Sequence, residues 1–313
     1  LPDAVKALKV DYSSSYFYRF GCWSYSTAPL VPQGDNVHKS IPLLLIIILF
    51  VSFSLKAENH EYEVSKIEYK NLVASLYLPK AEKKIPVVIA FGGFEGGLGN
   101  GNANGEMIAP HGVAVLGLAY FKEKGISQTL DQIPMEYFID AINYLETHPL
   151  IDSSKIGVVG GSRGSEAAFL LASMDSRIKS VVVTTPSKVA WYGLTMPKSA
   201  WTIEGQDIPA LGLELDSNAK LIDRFAVALE NKTNVNKSLF KFENINGPIL
   251  LISAERDQVW PSFQMSKDIE VYLKSKQFKH KVVHNSYKTG HGFSKETAPE
   301  IKKSITDHFV STL

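Results

Sequence analysis

The sequence predicts an α/β chain built on a doubly wound, mostly parallel sheet with an inserted cap segment. Three observations carry this. Apolar runs of strand length recur from residue 86 onward, and amphipathic stripes of helical spacing lie between them. One of the strands runs directly into a Gly-x-Ser-x-Gly turn followed by a helix-forming segment. The composition agrees: of 313 residues 45% are hydrophobic and 21% charged, the usage of a chain that can bury its own core. With 33 basic against 32 acidic residues the net charge is +1, which excludes nucleic acid as a partner on electrostatic grounds. Cys22 is the sole cysteine, so neither an internal disulfide nor a cysteine-based zinc cluster is expected.

Residues 1–57 are expected to lie outside the fold. Residues 41–55 read IPLLLIIILFVSFSL without a charge, with Lys39 just before and Leu55-Lys56-Ala57 at the end. A basic start, an apolar run and a terminal small residue are the parts of a signal peptide. The run has 15 residues, short of the roughly 20 a helix needs to span a bilayer. Cleavage after Ala57, export of the mature chain and no stable membrane span are therefore expected. An uncleaved anchor at 41–55 is the alternative. A translation start near Val37 would place His38 and Lys39 in the basic region; a disordered leader ahead of the run is the alternative reading of residues 1–40.

Residues 58–313 form the expected domain. Segments 62–68 and 72–77 read as a hairpin around Lys70-Asn71. Segments 86–91 and 113–118 are continuously apolar, as are 156–159, 178–183, 249–252 and the core of 281–283; such runs fit strands buried on both faces. Met135, Phe138, Ile142 and Leu145 make one helical stripe, and Met265, Ile269, Tyr272 and Leu273 another after Pro261-Ser262. Thr297-Ala298-Pro299-Glu300 reads as a capping box for a last helix that turns Ile301, Ile305 and Phe309 inward. Residues 187–247 break the rhythm. They are dense in Trp191, Tyr192, Leu194, Met196, Trp201, Ile208, Leu211 and Leu213. An insertion after the sixth strand sits over the C-terminal strand edges, where α/β sites lie, so a cap forming an apolar pocket is expected. The alternative is that these side chains merely pack the insertion onto the sheet.

The chemistry is read from Gly160-Gly161-Ser162-Arg163-Gly164, which joins the strand at 156–159 to a helix. This is a nucleophile elbow, and it makes the expected architecture an α/β-hydrolase fold with Ser162 as nucleophile. In that fold acid and base follow in the order Asp, then His. Asp257, in the loop after strand 249–252, is the expected acid, with Glu255 as the alternative. His291 sits in a glycine-flanked loop after strand 281–283 and is the expected base, while His280 and His284 are expected to be surface or packing residues. The oxyanion needs two backbone N–H groups. One belongs to Arg163. The other comes from the loop Gly92-Gly93-Phe94-Glu95-Gly96-Gly97, with Phe94 expected and Gly93 as the alternative. His60, His111, His148 and His308 fall far from any triad position, and nothing pairs them as ligands. No metal and no cofactor are expected. A phosphate-cradling loop is excluded because no Gly-Lys-Ser/Thr follows the glycines.

Several of these segments resemble one family. Gly-Gly-Ser-Arg-Gly-Ser-Glu (160–166), Ala119-Tyr120-Phe121, Met135-Glu136-Tyr137-Phe138, Asn143-Tyr144-Leu145 and Thr289-Gly290-His291 are similar to the catalytic domain of acyl-CoA thioesterases and bile acid-CoA:amino acid N-acyltransferases, a dienelactone-hydrolase-like group. Pro186-Ser187, Ser199-Ala200-Trp201 and Asp257-Gln258-Val259-Trp260 also fit its pattern. The resemblance covers about residues 85–310 and implies Ser162, Asp257 and His291 as the triad. Animal members carry a β-sandwich domain ahead of the hydrolase domain, whereas only residues 58–84 stand in that place here. The amino-acid transferases of the family use cysteine at the elbow, so Ser162 implies transfer to water. The cationic candidates for CoA phosphates, Arg163, Lys188 and Lys198, form no cluster in the sequence. The expected function is that of a serine hydrolase cleaving a small-molecule acyl thioester or ester through an acyl-serine intermediate, with an exported carboxylesterase not acting on CoA, an acyltransferase and a non-catalytic binding protein of the same fold as alternatives.

Overall fold

The computed structural model describes residues 60–213 and 219–313. The expected leader and apolar run at 1–57, with Cys22, lie outside the described residues.

The chain opens with β1 (Tyr62–Lys66), β2 (Val73–Pro79) and β3 (Ile85–Phe91), then α1 (Gly99–Ile108) and β4 (Ala114–Ala119). The next elements are β5 (Ile133–Pro134), α2 (Met135–Thr147), β6 (Ile151–Gly161), α3 (Arg163–Met174) and β7 (Ile178–Thr184). The insertion contributes β8 (Trp201–Ile203), β9 (Gln206–Asp207), α4 (Leu221–Ala228) and α5 (Lys232–Ser238). The chain closes with β10 (Ile249–Ala254), α6 (Ser262–Ser275), β11 (Val282–Tyr287) and α7 (Ala298–Thr312).

Eight strands form one sheet in the order β1-β2-β4-β3-β6-β7-β10-β11. Only β1/β2 and β2/β4 pair antiparallel; the rest are parallel. β5, β8 and β9 make a separate small sheet. The period-2 alternation of the strands divides the core into two faces. Val87, Ile89 and Phe91 pack with Phe138 of α2, Phe169 of α3 and Ile269 of α6. Val88 and Ala90 pack with Ile108 of α1 and with Ile301, Ile305 and Phe309 of α7. The expected stripes thus face the sheet, and burial of each large apolar side chain contributes about 1.5–3 kcal/mol.

Two local expectations are corrected. The Thr297 side chain does not cap α7; its hydroxyl donates to the Ser294 carbonyl at 3.1 Å, and Pro299 in the first helical turn fixes the start instead. The tryptophans of the insertion are interior. Trp201 packs on Tyr120 and Phe138, and Trp191 on Phe225 and Trp260. A cavity of about 380 Å³ in the insertion is lined instead by Tyr192, Pro197, Leu211, Val227, Lys198 and Lys237, among others.

Candidate active site

β6 ends at Gly161 and α3 begins at Arg163, so Ser162 alone makes the turn. It does so at φ 52°, ψ −123°, a conformation that L-residues adopt only under constraint. The flanking glycines follow from the lack of space. A Cβ at Gly164 would stand 2.2 Å from the Gly92 carbonyl oxygen, and one at Gly160 2.3 Å from the Gly164 oxygen. The turn is fixed by Ser162 N–H donating to the Thr184 carbonyl (2.9 Å), and by Ser165 Oγ donating to the Ser162 carbonyl (2.6 Å).

The structure brings together the three residues picked from the chain order. Ser162 Oγ lies 2.8 Å from His291 Nε2, and His291 Nδ1 lies 2.9 Å from both carboxylate oxygens of Asp257. An ionised carboxylate only accepts, so Nδ1 carries the proton and Nε2 is left to accept from the serine. The Asp257 side chain is 2% exposed and held from its other sides. Val259 N–H and Trp260 N–H donate to Oδ1 at 2.9 and 3.2 Å, and Ser262 Oγ donates to Oδ2 at 2.6 Å. Trp260 stands edge-on to the imidazole and donates through Nε1 to the carbonyl of Thr185, itself at φ 41°. Glu255, the alternative acid, is exposed and accepts from Ser286. His280 is exposed beside Phe278.

His284 belongs to a second serine–histidine–carboxylate set. Its Nε2 is 2.7 Å from Ser253 Oγ and its Nδ1 2.8 Å from Glu270. Ser253 is fully buried within β10, on regular strand and not on an elbow, so this set ties β10, β11 and α6 together without presenting a nucleophile.

The loop after β3 lies against the elbow. A Cβ at Gly93 would sit 3.0 Å from Ser162 Cβ and 3.3 Å from Arg163 N. The Gly93 N–H is committed to Glu95 Oε1 at 2.7 Å, an oxygen that also accepts from Asn100. Gly93, the alternative oxyanion donor, is therefore occupied. Arg163, as the first residue of α3, has an amide with no intrahelical acceptor. Tyr120 OH anchors the loop by donating to the Gly92 carbonyl at 3.0 Å. Burial pushes this phenol well above its ordinary pKa, so it stays a donor.

Beside the elbow lies a buried ion pair, Arg163 Nε to Glu166 Oε1 at 3.0 Å. Arg163 Nη2 donates to the carbonyls of Trp191 and Tyr192, and Glu166 Oε2 accepts from Trp191 N–H and Trp201 Nε1–H. Burial pushes the Glu166 carboxyl up to about 7, against the pull of the guanidinium. Beyond its place in the 160–166 motif Glu166 reads as a helix former, and Tyr120, Glu95 and Ser262 carry no sign of their partners. The cationic candidates are mostly engaged: Arg163 as above, and Lys188 with Asp268 at 2.6 Å. Lys198 lines the cavity of the insertion.

The chain is 28% identical over 205 residues to Acyl-coenzyme A amino acid N-acyltransferase 1 of Mus musculus, covering 63% of this chain and 46% of that one. It is 29% identical over 214 residues to Acyl-coenzyme A thioesterase 5 of Mus musculus, covering 65% and 48%. The chain thus spans about half the length of the curated relatives it matches. Among solved structures, an esterase of Pyrobaculum calidifontis superposes with a TM-score of 0.54 at 18% identity, covering 82% of this chain and 86% of that one. The dienelactone hydrolase of Anabaena variabilis gives 0.51 at 16%, covering 81% and 100%. The fold is that of the α/β hydrolases. The family profile described as BAAT / Acyl-CoA thioester hydrolase C terminal matches residues 133–309, more than half of the chain and a span that holds Ser162, Asp257 and His291. The chain belongs to that family.

Proposed function

We propose that this chain is a serine hydrolase that cleaves acyl thioesters or esters through an acyl-serine intermediate. The observation that carries the reading is the hydrogen-bonded series from Ser162 through His291 to Asp257 at a strained elbow. Ser162 Oγ attacks the acyl carbon as His291 Nε2 takes its proton. Asp257 holds the imidazole in the accepting tautomer and stabilises the imidazolium. The N–H groups of Arg163 and Phe94 receive the oxyanion. Collapse expels the thiol or alcohol with the proton from His291. Water, activated by the same imidazole, then releases the carboxylic acid.

The names of the relatives support a thioester. The apolar run at 41–55 supports export, which would remove the enzyme from acyl-CoA and favour a simple ester. Acyl transfer to an amine is the second reading, supported by the relative named as an N-acyltransferase. Addition of amine acceptors to the assay separates it from hydrolysis.

The test is covalent labelling with a fluorophosphonate, followed by rates on acyl-CoA and p-nitrophenyl ester panels. Ser162→Ala is expected to lose labelling and to lose turnover by several orders of magnitude while its melting curve is retained. A fully active Ser162→Ala enzyme would overturn the reading.

A further inference from the structure

The residue that follows the nucleophile has two roles available to it, one through its amide and one through its side chain. Its side chain is 7% exposed and points away from solvent into the start of the insertion. There it meets Glu166, which is fully buried one helical turn on. Between them the two side chains reach the Trp191 carbonyl (3.3 Å), the Tyr192 carbonyl (3.0 Å), the Trp191 N–H (3.0 Å) and the Trp201 indole N–H (2.8 Å). A second strut runs beside them, since Ser165 Oγ donates to the Ser162 carbonyl and accepts from Ser187 N–H at 3.1 Å. The bonds to Ser187, Trp191, Tyr192 and Trp201 all join the first turn of α3 to residues 187–201.

We propose that the Arg163–Glu166 pair is a positioning device that aligns the Arg163 amide for the oxyanion by clamping the first turn of α3 to the start of the insertion. This rests on the reading of Ser162 as nucleophile given above. Desolvating two charges offsets most of what their attraction gains, so stability alone is a weak reason for such a pair. Geometry is a better one. The Ser162–Arg163 peptide leaves a strained residue, and the helix supplies no acceptor to hold its N–H in place. A guanidinium that donates through Nη2 to two carbonyls while its Nε lies 3.0 Å from a buried carboxylate restricts the residue carrying that N–H. The same fork makes the amide sensitive to how residues 191–201 are seated, because Glu166 and Arg163 both bond Trp191. Glu166 and the guanidinium touch no reacting atom, so they act through the amide.

The experiment uses Glu166→Gln, which keeps an acceptor for Trp191 and Trp201 but removes the charge facing Arg163, and Arg163→Lys, which keeps the charge but not the fork. Labelling with a fluorophosphonate counts competent sites. The kcat and KM per labelled site are then measured on p-nitrophenyl acetate and p-nitrophenyl octanoate, with melting temperatures alongside. A positioning role lowers kcat about tenfold or more on both esters, with the acetate KM changed less than about twofold. A merely structural role lowers the melting temperature and leaves kcat per labelled site at the wild-type value in both variants, which overturns the proposal. If Glu166→Gln fails to fold, Arg163→Lys decides by the same readout. If the wild-type chain is not labelled at all, the nucleophile reading fails, and the positioning role falls with it.

Discussion

Asp257 is held from more sides than the base it orients. Two amides of its own loop fix Oδ1, and the Ser262 hydroxyl fixes Oδ2 at 2.6 Å. Ser262 is fully buried at the start of α6, so no water can replace its hydrogen bond without rearrangement. Ser262→Ala is expected to lower kcat about tenfold on a short p-nitrophenyl ester while KM stays nearly constant, because the imidazole loses orientation and not contact with substrate. Steady-state kinetics on the folded variant check this, and an unchanged kcat would show that the loop amides suffice. The proposed triad was legible because chain order and strand ends restrict it strongly. Ser262 was not, since a serine after a proline signals a helix start and nothing in the sequence says that its hydroxyl turns back to a loop five residues earlier. Glu166 was hidden in the same way, by a helical context that suits any glutamate.

Elements were legible where periodicity is strong. The stripes of α2, α6 and α7 and the continuous apolar runs of β3, β4 and β7 announce themselves. α1 does not. Its sequence GNGNANGEMI has no apolar stripe, and its three glycines and three asparagines would argue for a loop. Packing explains the helix: a Cβ at Gly101 would stand 2.9 Å from Gly117 Cα of β4, and one at Gly105 2.4 Å from the Tyr77 ring of β2. The small residues let the helix approach the sheet closely, a tertiary reason that overrides propensity. At the far end, α7 carries His308, whose Nε2 is buried without a hydrogen-bond partner among the described residues. Burial, with the Lys281 ammonium, lowers it to about 4 from an ordinary 6.5. The unfolded chain therefore binds a proton near pH 6.5 that the folded chain refuses until about pH 4. The group's contribution to stability is fully present above pH 6.5 and is lost as the pH falls toward 4, by at most about 3 kcal/mol. Glu166 acts with the opposite sign. Its folded value of about 7 exceeds its ordinary 4.5, so its cost to stability grows as the pH rises between them. His308→Gln is expected to flatten the acid limb of the stability curve by several degrees of melting temperature between pH 6.5 and 4.5. Melting curves across that range check it, and an unchanged slope would place the acid sensitivity elsewhere.

For the whole molecule the question is what the proposed hydrolase meets. The described residues hold the sheet, the proposed triad and the insertion, and among them no helix is long and apolar enough to cross a membrane. The run at 41–55 carries no charge, and six residues separate it from β1 in the sequence. Cleavage after Ala57 removes no residue of the eight-stranded sheet, so the mature chain is expected to begin at Glu58 and to retain full esterase activity. The proposed export would also bear on the leaving group. Two of the three cations considered for CoA phosphates are spent on Glu166 and Asp268, whereas an acyl chain needs only apolar surface, worth about 0.8 kcal/mol per methylene buried. Efficiency on p-nitrophenyl esters is therefore expected to rise by about threefold to fourfold with each of the first few methylenes, with acyl-CoA turned over less efficiently. N-terminal sequencing of the processed protein and the two substrate panels check both halves. A chain retained in the cytoplasm with residues 41–55 intact, and a kcat/KM higher for acyl-CoA than for any simple ester, would instead make acyl-CoA the substrate and turn the search for its phosphate contacts to Lys198 and Lys237, the two lysines that line the cavity of the insertion.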